Sequence, residues 1–131
     1  MKNQQYKVLI VEDEIIICED IKKALQAIGF EISGIAHSGE KALSLLETEI
    51  PDIVLMDIVL NGRLNGIETA VMIRDQYNIP VVFLTSYSDK ITMKRAQEAH
   101  PYGYILKPFS EEEIKDTING AMEKYLAKDS L

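Results

Sequence analysis

The sequence holds a single cysteine, Cys18, so no disulfide can form within the chain. That is consistent with a reducing compartment, and a cytoplasmic location is the expectation. Cys18 lies beside Ile17 and Ile21 in a helical apolar pattern, which predicts a small packing residue rather than a reactive thiol. Basic residues are also few, 14 against 21 acidic ones, for a formal charge of −7. A surface of that sign repels nucleic acid phosphate, so direct nucleic acid binding is not expected. No apolar run approaches the roughly 20 residues of a membrane span. The opening stretch MKNQQYK lacks the apolar region of a signal peptide. Repeats, linkers and low-complexity segments are absent too.

What is present fits one domain. A single unit over 1–131, with its core at about 6–125, is the expectation for 131 residues. A chain of this length buries roughly two thirds of its unfolded surface. Its 47% hydrophobic content argues against disorder.

Short apolar runs alternate with longer amphipathic stretches. KVLIV at 7–11 reads as a buried strand. Ile17, Ile21, Leu25 and Ile28 then recur at helical spacing, and Gly29 follows as a stop signal. A second strand is predicted over 30–36. Ser38 is placed to cap a helix reaching about 47, with Ala42, Leu43 and Leu46 inward. Pro51 precedes a third strand, IVLM, which ends at Asp57. A polar loop, NGRLN at 61–65, leads to a helix over 66–77. Pro80 precedes a fourth strand ending at Thr85. Ser88 or Asp89 is placed to cap a short helix to about 99, broken by Pro101. A fifth strand covers 103–106. Ser110 and Glu113 fit a capping box for a last helix to about 125, and the polar tail AKDSL is expected to fray. Continuous apolar strands separated by helices predict a parallel sheet covered on both faces. Right-handed crossovers then favour a doubly wound, three-layer α/β/α sandwich.

In such sheets, ligands bind beyond the carboxyl ends of the strands. Glu12, Asp13 and Glu14 follow the first strand, Asp57 ends the third, Thr85 and Ser86 end the fourth, and Lys107 and Pro108 end the fifth. One rim would therefore gather several carboxylates, one or two hydroxyls and an ammonium. Two like charges about 4 Å apart repel by roughly 4 kcal/mol at an effective dielectric near 20. A hard divalent cation such as Mg²⁺ would relieve that repulsion. The lysine would then face phosphoryl oxygens as a point charge. Taken singly, Asp13, Thr85 and Lys107 each have a plain reading as a cap, a strand end or a surface charge. Together with Asp57, their placement at four strand ends is what points to chemistry.

These motifs, VLIVEDE, IVLMD, VVFLTSYSD and GYILKPF, together resemble the receiver domain of response regulators in two-component signalling. The resemblance covers about 6–125 and implies a flavodoxin-like fold with strand order 2-1-3-4-5. It implies Asp57 as the phosphorylated aspartate and Lys107 as the lysine that assists it. Glu12, Asp13, Asp57 and the backbone carbonyl of Val59 would bind Mg²⁺. Thr85 would be the switch hydroxyl and Tyr104 the switch aromatic that turns inward. Pro108 would follow a cis peptide bond. The implied partners are a sensor histidine kinase or phosphotransfer protein, an output element, and a second copy docked through the face of helix 4, strand 5 and helix 5. The domain would be a phosphoacceptor rather than an enzyme.

The sequence departs from the family pattern at several places. Glu12 stands where aspartate is commoner, so its longer arm would reach the metal through water. The proline usual soon after the phosphoacceptor is missing. The loop LNGRLNG is one residue longer than the commonest form, with Asn65 where aspartate is frequent, and Ser86 replaces the usual alanine. Three other readings remain. A haloacid-dehalogenase-like phosphatase would need an aspartate where Val59 stands. A flavin module would need a Ser/Thr/Gly-rich phosphate loop where Glu12, Asp13 and Glu14 stand. A receiver that signals by binding alone would not need Asp57, Thr85 and Lys107 together. His37 and His100 are expected to be ordinary surface or partly packed residues. Met93, Tyr102 and Tyr104 fit either a partner face or the core.

Overall fold

The computed structural model describes residues 6–86 and 90–128. Ten elements alternate along the chain: β1 (Lys7–Val11), α1 (Ile15–Ile28), β2 (Glu31–Ala36), α2 (Gly39–Leu46), β3 (Ile53–Asp57), α3 (Gly66–Tyr77), β4 (Val81–Thr85), α4 (Lys90–Glu98), β5 (Gly103–Leu106) and α5 (Glu111–Lys128). The strands form one parallel sheet in the order β2-β1-β3-β4-β5. This is the expected flavodoxin-like sandwich.

Burial follows position in the sheet. Every residue of β3 and β4 is buried, whereas the edge strands β2 and β5 are only partly covered. The period-two alternation of the strands sends their side chains into two separate cores. Val8, Ile10, Ile53, Leu55, Val82, Leu84 and Ile105 pack beneath α1 and α5, with Ile21, Leu25, Ile114 and Ile118. Leu9, Val11, Val54, Met56, Val81 and Phe83 pack on the other face with Leu46, Ile73 and Ala96 of α2, α3 and α4. Cys18 is buried in the first core, as a packing residue should be.

The predicted helix ends hold in most cases. Gly29 closes α1 at φ 114°, its N–H donating to Leu25 O at 3.1 Å. That positive φ is open to glycine at little cost. Ser38 Oγ accepts from Lys41 N at 3.1 Å at the head of α2. Ser110 makes only its half of the predicted box. Its Oγ accepts from Glu113 N at 3.1 Å, but the Glu113 carboxylate accepts from Leu106 N at 3.4 Å. Helix α5 also runs past 125 to Lys128. Two contacts hold that extra turn: Tyr125 Oη donates to Asn78 O at 2.9 Å, and Lys128 Nζ to Asn78 Oδ1 at 3.2 Å. The proposed caps Ser88 and Asp89, and the final residues of the tail, lie outside the described residues.

Candidate functional site

The carboxyl ends of β1, β3, β4 and β5 surround an open cavity of about 320 Å³. Asp13, Asp57, Val59, Thr85 and Lys107 all line it. The sheet delivers each of them. Asp57 closes the wholly buried strand β3 and is itself buried. Thr85 closes β4, two strand positions beyond Phe83, and is buried. Lys107 follows β5 directly, and its bond to Pro108 is cis.

Glu12 sits behind the cavity with no exposed surface. Oxygens of Glu12, Asp13 and Asp57 all lie within 4.8 Å of one another. Among the described residues one cation faces them: Lys107 Nζ is 3.2 Å from Asp57 Oδ2 and 3.3 Å from Glu12 Oε1. The first contact is a hydrogen bond. The second is an ion pair only, since Glu12 Oε1 has no hydrogen-bond partner among the described residues. Glu12 Oε2 accepts from Glu14 N at 3.1 Å. His37 is exposed, yet its Nδ1 lies 2.9 Å from the Glu12 carbonyl oxygen.

The electrostatics follow from this crowding. Burial, then the adjoining Asp57 carboxylate, pushes Glu12 from the ordinary 4.5 up to about 7. The Glu14 N–H and Lys107 oppose that rise without cancelling it. Burial pushes Lys107 down, but Asp57 and Glu12 outweigh it and hold the ammonium above its ordinary value. Three carboxylates against one ammonium leave a deficit of positive charge, and one buried carboxylate oxygen lacks a donor. An all-oxygen donor set of this charge fits Mg²⁺, which binds through a few carboxylates and keeps several waters.

Thr85 and Tyr104, the expected switch pair, make their contacts on the other face of the sheet. Thr85 Oγ1 donates to Met93 Sδ in α4 at 3.6 Å. Tyr104 rests on Phe83, their ring centroids 6.1 Å apart. Its hydroxyl is buried with no hydrogen-bond partner among the described residues, and burial raises its pKa.

The sequence model of the response regulator receiver domain matches residues 8–119. The chain belongs to that family. As a receiver domain it is a phosphoacceptor rather than an enzyme, and its acidic cluster is of the kind that holds Mg²⁺ in such domains. It shares 36% identity over 119 residues with the transcriptional regulatory protein PdtaR of Mycobacterium tuberculosis, covering 91% of this chain and 58% of that protein. It shares 34% over 120 residues with the uncharacterized transcriptional regulatory protein YrkP of Bacillus subtilis, covering 92% and 51%. The receiver domain thus spans little more than half the length of either relative. Among solved structures, the signal receiver domain of a modulated diguanylate cyclase from Desulfovibrio desulfuricans G20 superposes with a TM-score of 0.91 at 34% identity, covering 95% of this chain and 99% of that one. The N-terminal domain of a response regulator/sensory box/GGDEF protein from Carboxydothermus hydrogenoformans gives 0.85 at 32%, covering 93% and 98%.

Some features of the receiver site escaped the reading of the sequence. Gly66 presses on the backbone of Asp57, so that a Cβ there would run into the Asp57 carbonyl oxygen. Asn65 and Glu68 form a complete capping box for α3. The N-x-x-E spacing was a visible signal for that box. The contact between His37 and Glu12 left none, since it depends on how the turn after β2 is folded.

Proposed function

We propose that Asp57 accepts a phosphoryl group from the phosphohistidine of a sensor histidine kinase or phosphotransfer protein, and that the domain answers by remodelling a partner-binding face. The observation that carries this reading is the setting of Asp57. It is a buried carboxylate at a strand end, 3.2 Å from an ammonium and opening on the cavity beside two further carboxylates.

A carboxylate oxygen of Asp57 would attack phosphorus in line. The bond from phosphorus to the histidine nitrogen breaks, and its electron pair leaves with the imidazole. The product is an acyl phosphate, later hydrolysed by water. Lys107 would offset the charge on the phosphoryl oxygens. Glu12, Asp13, Asp57 and the Val59 carbonyl would hold Mg²⁺, which when bound neutralises charge on those same oxygens. Thr85 would leave Met93 and turn to the phosphoryl group. A buried hydroxyl without a partner costs about 1–3 kcal/mol, so Tyr104 is poised to change rotamer once Thr85 moves.

The face formed by α4, β5 and α5 would carry the output. Ile91 on it is 72% exposed. A second copy of the chain would dock there, and a rise in molecular size on adding beryllofluoride, a phosphoryl mimic, tests this. The relatives' names favour an output in gene regulation, with the domain working as one unit in the cytoplasm. The acidic domain itself would not touch nucleic acid.

Incubation with acetyl phosphate and Mg²⁺, followed by mass spectrometry, tests the central step. We expect one phosphoryl group per chain, lost without Mg²⁺ and in Asp57→Ala. No gain in the parent protein, or an unchanged gain in Asp57→Ala, would overturn the reading.

A further inference from the structure

The segment between β3 and α3 carries a regular pattern of hydrogen bonds. Four alternate backbone amides each donate to a carboxylate, every one at 3.0 Å. Val59 N donates to Asp57 Oδ1, Asn61 N to Asp13 Oδ2, Arg63 N to Glu40 Oε2, and Asn65 N to Glu68 Oε1. Two of the acceptors belong to the acidic pocket. The other two belong to the scaffold, in the first turns of α2 and α3. Glu68 serves its own helix through the capping box. Glu40 is different, because it reaches the loop from another element 23 positions away.

Several features aim Glu40 at that spot. Ser38 caps α2 and fixes its first turn. Gly39 lies so close to Thr69 and Leu64 that a Cβ would collide with the Thr69 hydroxyl, which brings the head of α2 onto the start of α3. Thr69 is fully buried, and its hydroxyl donates to Asn65 O at 2.8 Å. Gly62, at φ 116°, turns the chain so that the next amide meets the Glu40 carboxylate. The same turn after β2 touches the far side of the pocket through His37 and the Glu12 carbonyl.

We propose that Glu40 is a positioning residue for the phosphoacceptor site. Its carboxylate pins Arg63 N, and the pinned loop holds the Val59 and Asn61 amides against Asp57 and Asp13. Asp57 and Asp13 are thereby held in the acidic cluster that would bind Mg²⁺. This rests on the phosphoacceptor reading above for its functional meaning, but not for its geometry.

Three substitutions separate hydrogen bonding from charge. Glu40→Gln keeps the reach and an acceptor oxygen but loses the charge. Glu40→Asp keeps the charge but shortens the arm. Glu40→Ala loses both. The readouts are hydrogen exchange of the Val59 and Asn61 amides, the Mg²⁺ dissociation constant, and the rate of phosphoryl gain from acetyl phosphate. We expect Glu40→Ala and Glu40→Asp to speed exchange at Asn61 and raise the Mg²⁺ constant about three- to tenfold, the loss of one hydrogen bond. Glu40→Gln should stay near the parent. The proposal is overturned if Glu40→Asp matches the parent while Glu40→Gln does not, or if the variants lose thermal stability with exchange and Mg²⁺ binding unchanged. If the parent chain gains no phosphoryl group, the phosphoacceptor reading fails alone, and exchange at Asn61 still decides the role of Glu40.

Discussion

Burial and the neighbouring Asp57 carboxylate bring Glu12 to half-protonation at about pH 7. The folded protein therefore binds a proton there more tightly than the unfolded chain does. Stability from that proton is complete below pH 4.5 and is lost as pH rises through about 7. Without Mg²⁺, the melting temperature should accordingly fall between pH 4.5 and 7, and calorimetry across that window checks it. Saturating Mg²⁺ should flatten the fall, because the ion favours the ionised carboxylates. Asp57→Asn should flatten it in part, since one cause of the raised value is removed while burial stays. A melting temperature that climbs steadily over this window would contradict the assignment. Asp57 itself was legible in the sequence because it closes an apolar run, an awkward place for a merely solvated charge. The state of Glu12 was not. Its position after β1 was plain, but full burial and the pairing with Lys107 depend on how three strand ends converge.

Among the elements, the loop between β3 and α3 separates what a sequence shows from what it hides. Helix α3 begins at a complete capping box: Asn65 Oδ1 accepts from Glu68 N at 2.8 Å, and the Glu68 carboxylate accepts from Asn65 N at 3.0 Å. Asn65→Ala should cost about 1 kcal/mol of unfolding free energy, read from urea denaturation at unchanged slope. Asn65→Asp retains an acceptor oxygen and adds a negative charge at the helix N-terminus, so it should match the parent or exceed it slightly. Equal losses in both variants would show that the side-chain acceptor of Asn65 is not what stabilises this helix end. Strand and helix bounds were readable from apolar periodicity to within a few residues because burial in the sheet sets that periodicity. The end of α5 was not. Its last turn is held by Asn78, 47 and 50 positions away from Tyr125 and Lys128, and no local pattern announces a contact of that range.

At the scale of the molecule, the sheet separates the residues around the proposed phosphoacceptor from the proposed switch pair. Asp57 falls in step with Ile53 and Leu55, which face α1 and α5, and Lys107 falls in step with Ile105. Thr85 falls in step with Val81 and Phe83, which face the other way, and its hydroxyl meets Met93 in α4. Tyr104 packs into that second core as well. A phosphoryl group on Asp57 would thus be sensed across the strand ends and passed first into the layer that holds α4. Among the described residues, the first core, built around Ile21, Leu25 and Ile118, contains neither Thr85 nor Tyr104. Packed cores shift between discrete arrangements rather than bending continuously. A rearrangement begun at Thr85 should therefore run through Met93, Phe83 and Tyr104 to the edge of the sheet at α4 and β5, where the proposed output face lies, and leave α1 in place. Hydrogen exchange with and without Mg²⁺ and beryllofluoride should show protection changing in α4 and β5, with the amides of Ile21 and Leu25 in α1 unchanged within error. Equal changes in α1 would mean that the two cores move together and that the sheet does not insulate one face from the other.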